Sequence, residues 1–158
     1  MLVRLITVGA LKEVYLRECA EEYKKRISAY AKIEEINLKE ELIKNEDNEK
    51  EVQSALDCEG DRILSYLKDG SYTVALCVEG KQFSSPELAN IVKRVCDASG
   101  KLTLIIGSSH GLSEKVKNRC DLKLSFSKLT FPHQLMRVIL LEALYRSFTI
   151  IAGKKYHK

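Results

Sequence analysis

The apolar residues of this chain fall into short dense runs separated by longer stretches at helical spacing. Tyr72–Val78 and Leu102–Ile106 are nearly continuous, the pattern of strands covered on both faces. Leu2–Val8, closed by Gly9, and the shorter Ile33–Leu38 and Leu122–Phe126 read as further strands. Leu11–Tyr30 spaces Val14, Tyr15, Ala20, Tyr23 and Ile27 as one face of a helix. Glu49–Leu67 predicts another helix, in which Gly60 marks a kink or a weak point. Ser84-Ser-Pro-Glu87 has the cap serine, early proline and early glutamate of a helix start, and that helix ends near Ser99–Gly100. Ser113 is the expected cap of a short helix to about Arg119. Lys39–Asn48 is a polar, acidic loop, Asp69–Ser71 a turn and Glu79–Phe83 a loop. Strands that alternate with helices predict a parallel sheet with helices on both faces, an α/β fold, in a single domain over residues 1–158.

The last helix breaks the amphipathic pattern. It enters at Pro132 and runs to about Ile151, and from Leu135 only Arg137, Glu142, Arg146, Ser147 and Thr149 interrupt an apolar run. A helix that is apolar nearly all round is buried on all sides. Its second face is therefore expected to pack on another subunit, giving a homodimer; the alternative is the central core helix of a monomer. A basic tail, Gly153–Lys158, follows.

Composition narrows the class. Hydrophobic residues at 45% and charged residues at 30% suit a globular chain, and the longest apolar runs flank Glu142 and are too short for a bilayer. No signal peptide is evident at the start, and five cysteines without a Cys-x-x-Cys pair favour reduced thiols, so a cytoplasmic location is expected. No metal spacing joins His110, His133 and His157. The charge is uneven: residues 101–158 carry 11 Lys/Arg against 3 Asp/Glu, whereas residues 1–100 carry 15 against 19. A basic part in an otherwise acidic chain points to an anionic or nucleic-acid partner, or else to a solvated face.

Ligands of open α/β sheets bind beyond the carboxyl ends of strands. Three strand ends lead into suitable loops: Leu76–Gly80, Ile106–Gly111 and Phe126–Phe131. None is a dinucleotide fingerprint or a P-loop.

The combination Ile106-Gly107…Gly111-Leu112, the run Leu124-Ser-Phe-Ser-Lys-Leu-Thr-Phe-Pro-His-Gln-Leu-Met-Arg137, Glu142-x-x-Tyr-Arg146 and Tyr156-His157 closely resembles the ribosomal RNA large subunit methyltransferase H family, within the SPOUT superfamily. Leu5–Gly9 and Glu79-Gly-Lys81 fit as well, so the resemblance covers the whole chain. It implies a parallel α/β domain with a C-terminal trefoil knot, a homodimer, and S-adenosyl-L-methionine as cofactor. It further implies methylation of a pseudouridine N3 of 23S rRNA in the assembled ribosome, with no membrane or DNA partner. Carried over by position, the cofactor contacts are Leu76, Gly107, Phe126, Ser127, Lys128, Leu129, Thr130 and Phe131. Leu76 also reads as simple core and Phe131 as a helix staple. His157, Tyr156 and Arg146 are the catalytic candidates: a neutral imidazole to take a proton, a ring to stack on a base, a guanidinium to hold a phosphate or a developing anion. The bland alternatives are a tail end with few core contacts for Tyr156 and His157, and an i,i+4 pair with Glu142 for Arg146. His133 reads as a helix-start cap. Two positions depart from the family: Ser108 stands where relatives usually have a second glycine, and its Cβ is expected to tighten the cofactor pocket; Cys77 stands where they often have an acid, whose part is then absent or supplied by Glu79, so a weaker cofactor affinity is expected. A related enzyme acting on tRNA and a non-catalytic RNA- or ribosome-binding module are the competing readings.

Overall fold

The computed structural model describes residues 1–67 and 70–156, so Asp69 of the expected turn and His157 of the expected active site lie outside the described residues. In chain order the elements are β1 (Leu2–Val8), α1 (Val14–Ile27), β2 (Lys32–Leu38), α2 (Glu49–Ser65), β3 (Tyr72–Lys81), α3 (Ser85–Ala98), β4 (Lys101–Ile106), α4 (Glu114–Arg119), β5 (Leu122–Leu124) and α5 (His133–Ile151). The strands form one sheet in the order β2-β1-β4-β3-β5, parallel at every pairing. The α/β architecture is the one that the alternating pattern predicts.

Both faces of the sheet are covered because the strands alternate two apolar sets. Val3, Leu5, Val74, Leu76, Leu102, Leu104, Ile106 and Leu124 meet α1, α3 and α5 in the larger core. Ile6, Val8, Ala75 and Ile105 meet Ile63 of α2 and Val116 of α4 in the smaller one. Successive strand side chains point to opposite faces, so two apolar sets interleaved along one strand require helices on both sides.

Four departures from the sequence expectations have local causes. β5 stops at Leu124 rather than Phe126, because the Ser125 hydroxyl donates to the Ser127 carbonyl (2.9 Å) and the Ser127 hydroxyl accepts the Leu129 N–H (3.0 Å). These short side-chain bonds offer the backbone partners outside the ladder. β3 continues past Val78 to Lys81, but its register on Leu124 jumps from Leu76 to Lys81, and the intervening residues bulge out. α2 runs unbroken through Gly60, where a Cβ would strike the Ser113 hydroxyl, so this glycine serves close helix packing and not a kink. Ser113 makes no capping bond to α4; its hydroxyl is buried against α2 instead. The Ser84–Glu87 capping box of α3 is present as expected, with the Ser84 N–H donating to Glu87 at 2.7 Å.

The all-round burial of α5 is met largely inside one chain. The helix lies on the sheet between α1 and α3 and packs against both, burying Val138, Leu140, Leu141, Leu144 and Phe148. Its apolar character therefore reflects a central place in the core, and a dimer must rest on other grounds. Its one fully inward charge is Arg137, 3% exposed. That guanidinium donates to the Gly9 carbonyl at 2.7 Å and to Asn37 Oδ1 at 3.0 Å, and pairs with Glu35 at 3.2 Å. It thereby locks the first turns of α5 onto the ends of β1 and β2. Replacing Arg137 by Ala strips a buried partner from all three groups and should cost about 3 kcal/mol in urea unfolding. Lysine, with one ammonium in place of a planar fork, should restore little of it. A loss near zero would show that α5 is seated without the guanidinium.

Candidate active site

The carboxyl ends of β3, β4 and β5 open onto a cleft of about 370 Å³. Three backbone segments wall it: residues 76–79 where β3 bulges, 106–112 after β4, and 124–131 after β5. His133 and Met136 of α5 and Lys117 of α4 complete the lining. Close approach of bare backbone shapes the middle wall. A Cβ on Gly107 would overlap the carbonyl of Gly111, so only glycine lets the loop fold back on itself. The turn is tied by the Gly111 N–H to the Ser108 carbonyl at 2.9 Å.

Behind that wall lies a carboxylate that sequence reasoning did not single out. Glu59 of α2 is 4% exposed. Its Oε2 accepts the Ser108 hydroxyl at 2.9 Å and its Oε1 accepts the Glu41 N–H at 2.8 Å. It thus joins the loop after β4 to the acidic loop before α2. Burial pushes its carboxyl above the ordinary value, Glu40 adds to the rise, and the Ser108 bond and His110 oppose it. A signal for it existed: Ala55, Glu59 and Ile63 are one helical stripe, and Glu59 is the charged member of an otherwise apolar face.

The opposite wall is electrostatically quieter. Glu79 is paired with Lys117, which holds its carboxyl below the ordinary value. Cys77 faces the cleft where the family resemblance expects an acid, and burial, followed by Glu79, pushes its thiol up.

Of the residues expected around a cofactor, Leu76, Gly107, Phe126, Ser127, Leu129, Thr130 and Phe131 all line this one cleft. Leu76 is core and wall at once, 8% exposed, and Leu129 and Phe131 form exposed apolar lips. Lys128 is exposed and does not line the cleft. His133 is not a cap, for Pro132 occupies that position without a side-chain bond; the imidazole stands beside Gly9 and borders the cleft.

Of the expected catalytic residues, Arg146 and Tyr156 lie elsewhere. Arg146 is 13 residues along α5 from His133, which at 1.5 Å per residue is about 20 Å along the helix axis. Arg146 pairs with Glu142, as its bland reading had it, and also lies over the Tyr156 ring at 4.9 Å. Tyr156 is not a loose tail residue. Its ring meets Tyr145 edge-on at 4.9 Å, and its hydroxyl donates to Glu142 at 3.3 Å. Desolvation first, then the bond with Tyr23, pushes its phenol up to about 12, so it stays neutral in ordinary buffers. Arg26 over Tyr23 and Lys154 over Tyr30 extend this group into a cation–aromatic surface at the far end of α5.

The rise at Glu59 has a consequence for stability. A carboxyl whose folded pKa is raised binds its proton more tightly in the folded chain, so its contribution declines as pH climbs from the ordinary value of 4.5 through the folded one. Glu59→Gln lacks that decline. Its unfolding free energy relative to wild type should therefore improve as pH climbs above the ordinary carboxyl value of 4.5 and level off once the folded carboxyl is ionised, in denaturant titrations; a difference flat with pH would mean that burial does not strain the carboxylate.

A family model described as "Predicted SPOUT methyltransferase" matches residues 1–157. A Caldicellulosiruptor bescii protein named ribosomal RNA large subunit methyltransferase H is 46% identical over 157 residues, which span 99% of this chain and 100% of that protein. A Streptococcus pneumoniae protein of the same name is 46% identical over 159 residues, with all of both chains covered. Among solved structures, a probable methyltransferase from Bordetella pertussis Tohama I superposes with a TM-score of 0.60 at 14% identity, covering 92% of this chain and 93% of its own, a likeness of fold.

Proposed function

Because the chain belongs to the SPOUT methyltransferase family, we propose that it methylates ribosomal RNA of the large subunit, at N3 of a pseudouridine in the assembled ribosome, with S-adenosylmethionine as donor. The observation that carries this reading is the cleft itself. Backbone from three strand ends converges on it, and Gly107 leaves no room for a side chain where the loop turns back. Such a cradle suits an adenosine: apolar Leu76, Phe126 and Leu129 offer faces for a base, and loop N–H and C=O groups offer hydrogen bonds to its edge. When bound, the donor supplies an electrophilic methyl group on a sulfonium. The protein's part is to aim the target nitrogen at that carbon and to take its proton.

Two residues suited to the second task, Arg146 and Tyr156, sit at the other end of α5, and His157 follows Tyr156 in sequence. We read Arg146, Tyr156 and His157 as acting on the cleft of a partner copy. A two-fold axis across α5 would set the C-terminal end of one helix beside the N-terminal end of the other, and the homodimer closes each site. In that arrangement Tyr156 stacks on the target base, Arg146 steadies the charge that builds on its ring, and His157 accepts the N3 proton. The basic residues 101–158 offer the phosphate contacts, in a cytoplasmic enzyme acting as one domain whose C-terminal third is threaded as a knot.

Two inactive chains test this together. Gly107→Val should abolish S-adenosylmethionine binding in calorimetry, and removal of residues 156–158 should leave that binding intact but cut methyl transfer to ribosomes roughly 100- to 10,000-fold. Mixed dimers of the two should recover activity, because one intact cleft meets one intact tail. Light scattering should give twice the chain mass. Mixed dimers as inactive as their parents would confine the tail to its own subunit, and transfer to free tRNA in preference to ribosomes would move the substrate.

A further inference from the structure

Among the described residues Glu59 is a buried carboxylate without an ion-pair partner. Among the described residues no lysine or arginine pairs with it, whereas Glu79 on the opposite wall is paired with Lys117. Its negative charge stands one hydroxyl behind the cleft, since Ser108 both lines the cleft and donates its proton to Glu59 at 2.9 Å. A serine whose proton is committed to a carboxylate can turn only lone pairs elsewhere. The wall at Ser108 therefore offers an acceptor backed by an uncompensated charge, in a place where water is scarce. Ionised carboxylates are costly to bury unless a partner arrives.

We propose that Glu59, acting through Ser108, makes this cleft select for a positively charged ligand, so that the sulfonium donor is held in preference to its neutral thioether product. The inference rests on the reading that the cleft binds S-adenosylmethionine, and it adds a specificity-determining residue to that site. Methyl transfer removes the positive charge from sulfur. The wall that favours the donor then no longer favours what remains, and the product leaves against less attraction. Glu40, beside the same loop through its 3.4 Å contact with Ser109, adds to the negative potential, and His110 on that loop opposes it.

A purely structural clamp would behave differently. If Glu59 only tied the loop after β4 to the loop before α2, its loss would weaken donor and product alike. Calorimetry with S-adenosylmethionine and S-adenosylhomocysteine separates the two. In wild type the sulfonium should bind more tightly than the thioether. In Glu59→Gln that preference should shrink roughly tenfold, with thioether affinity changed by less than about twofold, because only the charge–charge attraction is lost. Ser108→Ala removes the hydroxyl that relays the carboxylate to the cleft but keeps the charge behind the wall, so the preference should fall by less than in Glu59→Gln. Should Glu59→Gln fail to fold, the double variant Glu59→Met with Ser108→Ala removes the charge together with the hydroxyl that would be orphaned, and the same shrinkage is expected. An unchanged preference in a neutral variant overturns the proposal, as does equal weakening of both ligands. If wild type binds neither ligand, the cofactor reading falls and this inference with it; if wild type binds both and only the preference fails to move, the cofactor reading survives alone.

Discussion

The site depends on where α5 begins, and a buried guanidinium decides that. Arg137 reaches from the second turn of α5 to the carbonyl of Gly9, to Asn37 and to Glu35, at the carboxyl ends of β1 and β2. Asn37 is itself held by the Thr7 hydroxyl at 2.6 Å. With this turn pinned, Phe131, His133 and Met136 stand over the cleft and the loop after β5 has a fixed far end. A charge-assisted fork in a dry setting is directional in a way that apolar packing is not. The rest of α5 slots between α1 and α3 by shape and burial; Arg137 sets its register on the sheet.

The cleft is made mainly from backbone, which explains the chemistry of its lining. Parallel strands all end on the same edge, and their last carbonyls and the next loops' N–H groups gather there. Each segment is shaped by a small local device. Gly107 admits the Gly111 carbonyl, Ser125 and Ser127 draw the chain out of the sheet, and the register jump at Leu124 throws Cys77 to Glu79 outward. Charged side chains arrive second and unequally: Glu79 is answered by Lys117, while Glu59, among the described residues, accepts hydrogen bonds from Ser108 and the Glu41 N–H without a lysine or arginine.

The residues expected to bind and two of those expected to act chemically, Arg146 and Tyr156, lie at the two ends of one helix. The cleft lies at the start of α5; Arg146 and the tyrosines Tyr23, Tyr30, Tyr145 and Tyr156 lie at its end, with Arg26, Arg146 and Lys154 over their rings. A rigid helix cannot bring its own ends together. A function that needs both ends must therefore use a second copy or a large substrate, and the proposed two-fold dimer is one such arrangement.

The order of elements, the parallel sheet and the general place of the cleft were legible in the sequence, because they follow from short-range pattern: two-residue alternation in strands, the Ser84 capping box, and glycine and serine at strand ends. Seven of the eight residues expected around a cofactor share the cleft, for the same reason that they sit on loops at one sheet edge. What depends on residues far apart in the chain was not legible. That α1 and α3 of the same chain cover most of α5 was hidden, because a sequence does not show which helices will flank another. Gly60 looked like a weak point, because the Ser113 that fills its space is 53 positions later. Tyr156 looked loose, because its partners, Tyr23 on α1 and Glu142 and Tyr145 on α5, lie 11 or more residues earlier in the chain. The sequence did not single out Glu59, because its hydrogen bond to Ser108, 49 residues away, exists only once the sheet has brought α2 beneath the loop after β4. Local propensity wrote the elements; tertiary packing alone decided which polar groups would be shut away from water together.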